Sequence, residues 1–105
     1  MRLTIIERIE LLKILPKEGD FVTLKLVRDL QNDLSFTEEE IKESKMKLSA
    51  GVYAWEKNVM KELEFGEATE AILEDVLKKA DKIKQLNINL LNVYDLIVNK
   101  PGEKS

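Results

Sequence analysis

The sequence predicts a mainly α fold: a compact helical domain of about five helices with a small β-hairpin in the middle, extending to three short strands. Three observations carry this. Apolar residues recur at helical spacing along most of the chain, and several of these stretches begin at a side chain able to cap a helix. One central stretch instead alternates with period two about the pair Ala50–Gly51. The 105 residues are 44% hydrophobic and 35% charged with only two prolines and four glycines, which suits one globule with few interruptions. Residues 1–99 are expected to form the single domain and 100–105 a flexible tail.

The first helix opens "LTIIERIELLKIL". Thr4 can cap it, and Glu7, three residues on, can reach back to complete a capping box. Ile5, Ile9 and Leu12 recur at helical spacing, joined by Ile6, Leu11 and Leu15, an arc broad enough to be covered on more than one side. The helix ends at Leu15 because Pro16 disfavours helical backbone in the residue before it. After the turn "PKEGD", Asp20 caps "FVTLKLVRDLQNDL", with Leu24, Val27, Leu30 and Leu34 on one side.

The third helix starts in "DLSFTEEEIKES". Thr37 and Glu40 have capping-box spacing, Phe36 and Ile41 occupy the positions of a hydrophobic staple, and Glu38 and Glu39 complement the helix dipole. Three consecutive glutamates point about 100° apart on a helix and cannot converge on one ion, so the stretch marks a helix start and no metal site.

In "KMKLSAGVYAWEK", Met46 and Leu48 before the Ala50–Gly51 pair align with Val52 and Ala54 after it, with Tyr53 and Trp55 on the opposite face. Leu63 and Phe65 in "KELEFG" suggest an added edge strand. Along "EATEAILEDVLKKADKIKQL" the repeating face is Ile72, Val76, Ala80 and Ile83, flanked by Leu73, Leu77 and Leu86. Acids precede lysines there, setting up Glu74–Lys78 and Asp75–Lys79 pairs. Asn87 or Asn89 caps a last helix, "LLNVYDLIVNK".

The string "ERIELLKILPKEGDFVTLKLVRDLQNDLSFTEEE", a hairpin with a tryptophan and then "KELEFGEATEAILEDVLKKAD" together resemble a family of short proteins encoded by phages and prophages of Gram-positive bacteria. The similarity runs from Leu3 to about Ile97 and is most specific from Leu15 to Glu40. The resemblance implies an origin, and with it the cytoplasm of a bacterial host. It implies no mechanism, and no functional residue is carried over.

Chemistry is narrowed by two absences. Without cysteine there is no thiolate nucleophile, thiolate metal site or disulfide, and without histidine the usual general base near neutral pH is missing. No glycine-rich phosphate loop occurs, and no two carboxylates are paired by the sequence as a hydrolytic site would require. The expectation is therefore a non-catalytic protein that acts through protein–protein contacts or self-association. No cofactor, metal or small-molecule ligand is implied. No stretch reaches the length of a membrane span, and the acids Glu7 and Glu10 argue against a signal peptide.

The alternative is a winged-helix-like DNA-binding regulator, since three helices followed by a hairpin have that order. Glu38, Glu39 and Glu40 at the start of its would-be recognition helix oppose it, leaving Lys42, Lys45 and Lys47 to compensate, so nucleic acid is the less expected partner. The candidate protein interface comprises Tyr53 on the hairpin and Tyr94 and Leu96 on the last helix. Trp55 is read as covering the core, in a chain with few aromatics. Of the seven apolar residues from Leu90 to Val98, six make an arc wider than a surface helix normally buries, and Leu96 falls outside it.

Overall fold

The first three helices of this protein each start at a side-chain oxygen that accepts from a backbone N–H. In the computed structural model, which describes residues 1–99, β1 (Arg2–Leu3) leads into α1 (Ile5–Ile14), where Thr4 Oγ1 accepts from the Glu7 N–H at 3.2 Å and Glu7 Oε1 accepts from the Thr4 N–H at 2.9 Å. Leu15 then turns extended (ψ 143°) ahead of Pro16. Asp20 accepts from the Thr23 N–H at 2.8 Å to start α2 (Phe21–Leu34). The Thr37–Glu40 capping box, with bonds of 3.1 and 3.0 Å, starts α3 (Glu38–Ser44).

The hairpin pairs β2 (Lys47–Ser49) with β3 (Val52–Ala54), and β4 (Lys61–Glu62) precedes α4 (Glu67–Lys82). Asn87 accepts from the Asn89 N–H at 2.9 Å, so of the two asparagines it is Asn87 that caps. The 3₁₀ turn it caps, Ile88–Leu90, runs directly into α5 (Leu91–Ile97). Among the described residues the architecture is mainly α, with five helices and two small antiparallel sheets. None of the helices among the described residues is long and apolar enough to cross a membrane. The expected tail, 100–105, lies outside the described residues.

Three details differ from the pattern-based expectation. The strand at 61–62 forms, but it joins β1 instead of the hairpin, with Arg2 opposite Glu62 and Leu3 opposite Lys61. Two residues are too few to show alternation, which is why β1 is invisible in the sequence. The hairpin faces are also reassigned. Leu48 pairs with Tyr53 and Ser49 with Val52, and directly opposite residues point to the same side. A two-residue turn pairs even positions with odd ones, so Met46, Leu48, Tyr53 and Trp55 share a face and Val52 and Ala54 take the other. On α4 the buried stripe is Leu73, Leu77 and Ala80, with Ile72 and Val76 at its margin and Ile83 exposed at the C-cap.

The core has two parts, and α1 belongs to both. Leu11 and Leu15 join Val27, Leu30 and Leu34 of α2, Leu73 and Leu77 of α4, and Leu90, Val93 and Ile97 in the larger cluster. Ile5 and Ile9, from the other side of α1, meet Met46 and Val59 in the smaller one, with Phe36 and Trp55 packed on its margin. The broad apolar arc of the first helix is thereby used on two sides.

Candidate functional site

Arg8 is wholly buried in the middle of α1. Its guanidinium holds Glu40 of α3 in a two-pronged pair, Nη1 to Oε2 at 2.8 Å and Nη2 to Oε1 at 3.0 Å. Nε donates to the Leu34 carbonyl at 3.1 Å, and Nη2 also donates to the Ser35 carbonyl. Those two carbonyls end α2, where the helix itself leaves oxygens without donors. One side chain therefore ties together α1, the end of α2 and the start of α3. Glu40 meanwhile completes its capping box with the Thr37 N–H. The Arg8 hydrogen bonds, opposed by partial burial and helped by Thr37 and the nearby positive charges, hold the Glu40 carboxyl down at about 2.

Phe36 lies against this pair, with the Arg8 guanidinium carbon 4.1 Å from the ring centroid, inside cation–π range. The Phe36 ring in turn stands 6.2 Å from that of Tyr53, tilted by 51°. The sequence Arg8–Phe36–Tyr53 leads from the protein interior to its surface, since Tyr53 is 37% exposed. Around it lies an open groove of about 360 Å³, lined by Leu12, Phe36, Ile41, Met46, Leu48 and Tyr53, with Ser35 at the α2 end. Leu48 is 60% exposed and Ile41 39%. On the far side of Tyr53 a smaller groove runs past Trp55 to Ile6, Glu10 and Lys13 of α1. The hairpin tip thus overhangs α1, with Tyr53 dividing two recesses.

A larger cleft, about 500 Å³, lies where the end of α1 and the 16–23 segment face α4. Pro16, Ile14, Val76 and Ile83 line it together with Lys13, Glu18, Asp75 and Lys79, so acids and bases are mixed around its rim. Nothing in it converges on a single ligand group. No family model matches this chain, and neither the curated proteins nor the solved structures contain a match to it. Function has to be inferred from geometry and chemistry.

Of the residues singled out in the sequence, Tyr53 stands at the groove with Leu48 and Phe36 as neighbours. Tyr94 is half-buried against the larger core cluster, and its hydroxyl lies 3.5 Å from Asp81 Oδ2. Leu96 is half-buried as well, and the open apolar side chains of that region are Ile88 and Leu91. The structure brings Tyr53 into a site with Phe36 and leaves Tyr94 and Leu96 on α5. Trp55 packs beside Ile5 and Ile9, in the covering role expected of it.

Arg8 was missed by pattern reading, although a signal existed. Its helical neighbours Ile5, Leu11 and Leu12 are all apolar, and a cation so placed needs a partner distant in sequence. Glu40 was recognised as a capping residue only, and its second role depends on a residue 32 positions away.

Proposed function

We propose that this is a non-catalytic, phage-type protein of the bacterial host cytoplasm that works by binding other proteins through the groove between α3 and the hairpin. The observation that carries the reading is the Arg8–Phe36–Tyr53 arrangement. A buried ion pair fixes an aromatic floor, and exposed Tyr53 and Leu48 rise from it. A rigid aromatic anchor beside an apolar recess is what interface hot spots are made of, because little side-chain freedom is lost on binding. The lack of histidine and cysteine supports a non-catalytic role, as does the commitment of Glu40 to Arg8. Support for a phage-type origin in a bacterial host is the sequence resemblance.

The DNA-binding alternative has the helix–helix–helix–hairpin order in its favour. Against it, β1 pairs with β4 and not with the hairpin, and α3 presents Glu38 and Glu39 at the end that would meet phosphate. Capture from a host lysate tests the reading with three baits: wild type, Leu48→Glu and, outside the groove, Ile88→Glu. The expected result is one protein retained by wild type and Ile88→Glu and lost with Leu48→Glu. Salt-resistant, sequence-selective retention of duplex DNA that falls with Lys42→Ala would replace this reading with the alternative.

A further inference from the structure

The hairpin keeps one of its two edges open. Ala50 and Gly51 make its two-residue turn, so Ser49 and Val52 on either side exchange ladder hydrogen bonds, as Lys47 and Ala54 do further along. Between them stands the Leu48–Tyr53 pair, whose backbone groups point away from the ladder, Leu48 toward one edge and Tyr53 toward the other. The β2 edge is closed at its start, because the Met46 N–H donates to the Ile41 carbonyl of α3 at 3.0 Å. The β3 edge has no such cover. Neither the N–H nor the carbonyl of Tyr53 or Trp55 has a hydrogen-bond partner among the described residues.

Beside that edge lies the recess of about 220 Å³ that the hairpin shares with α1. Its hairpin wall is drawn from the segment Gly51 to Trp55 and includes no residue of β2, so the recess flanks β3. The α1 wall is apolar at Ile6 and Ile9. Its two charged residues are already matched: Glu10 accepts from Lys13 at 3.2 Å with one oxygen and from Asn87 at 2.8 Å with the other. The recess therefore selects neither an acid nor a base. A free donor and acceptor on one residue, repeated two residues on, is what an added strand takes up, and alternate side chains of that strand then point to one side. We infer that the β3 edge takes an extended peptide segment of a partner protein, paired through its backbone with Tyr53 and placing an uncharged apolar side chain in the recess beside Trp55. This goes beyond the groove reading, since the edge lies on the other side of Tyr53.

Amide NMR of the full chain, titrated with the capped peptide acetyl-Thr-Thr-Leu-Thr-Thr-amide, provides the test. The expected Kd is about 0.1–1 mM, with the Tyr53 and Trp55 amides shifting most and the Tyr53 amide exchanging more slowly with solvent. N-methylation of the peptide leucine removes the donor to the Tyr53 carbonyl and should raise the Kd about tenfold. N-methylation of the threonine before it, whose N–H points away from the hairpin, should change the Kd by less than about twofold. Tyr53→Pro removes the outward N–H without touching the ladder, and should bind the peptide about tenfold more weakly than Tyr53→Ala, which keeps that donor. Where the proline variant loses its hairpin, the two N-methylated peptides on the wild type decide the matter. Equal binding of those two peptides overturns the edge pairing, as does the absence of any shift at Tyr53. Binding that falls with Leu48→Glu yet ignores the site of N-methylation puts the peptide in the α3 groove, which overturns this inference and leaves the groove reading standing. A Tyr53 amide that becomes protected as protein concentration rises, with no peptide present, makes a second copy the occupant and overturns it as well.

Discussion

Arg8 shows how much one residue can organise when it is buried with its partners. Its four described hydrogen bonds end on the Leu34 and Ser35 carbonyls and on the Glu40 carboxylate, all distant from it in sequence, and truncating it strands Glu40 as well as two carbonyls. Removing one partner of such a pair typically costs about 3–5 kcal/mol, so Arg8→Met should lower the urea-unfolding free energy by that order. The pair also makes a pH prediction. Glu40 titrates near 2 when folded against an ordinary 4.5, so its contribution is complete above about pH 4.5 and is lost as pH falls toward 2. Glu40→Gln should flatten the fall in stability over that window, and an unchanged slope would detach the carboxylate from acid sensitivity. The sequence carried Glu40's local spacing and the apolar helical neighbours of Arg8, but not the pairing itself, because charge partners 32 residues apart leave no periodic trace.

Elements were legible where their signals are local. Thr4, Asp20 and Thr37 each cap the helix that follows, since an oxygen three residues before a free N–H is a purely local relation. Thr37→Ala should accordingly cost about 0.5–2 kcal/mol in thermal or chemical unfolding. The hairpin was legible as a turn at Ala50–Gly51 but not in its facing, which depends on the loop having two residues. Both turn residues have positive φ, 52° at Ala50 and 79° at Gly51. That geometry suits glycine and asparagine and strains alanine. Ala50→Asn should therefore raise stability by about 0.5–1 kcal/mol, read as a higher denaturation midpoint with an unchanged slope. The β1–β4 pair escaped notice because its two strands are some 60 residues apart and only two residues long.

For the whole molecule, the informative division is between the two apolar clusters that share α1. Among the described residues the larger holds twelve buried side chains, from four helices, β1 and the segments that flank them, including Leu63 just after β4, the smaller only four. Apolar burial is the main source of cohesion, so the half with fewer buried side chains should open first. The groove belongs to that half. Hydrogen exchange offers the check: amides of Lys47–Ala54 should exchange through local opening, well before those of α2 and α4, which wait for global unfolding. Equal protection across both regions would mean that the clusters unfold as one.

The overhang of the hairpin tip above α1 then acquires a thermodynamic meaning. A face that opens on its own has stability to gain from whatever settles on it, and a ligand that binds only the closed form adds RT ln(1 + [L]/Kd) to that local free energy. Occupancy of the recess on either side of Tyr53 should slow exchange in the hairpin while leaving the helices of the larger cluster unchanged. The hairpin amides can in this way report a bound partner before that partner has been identified.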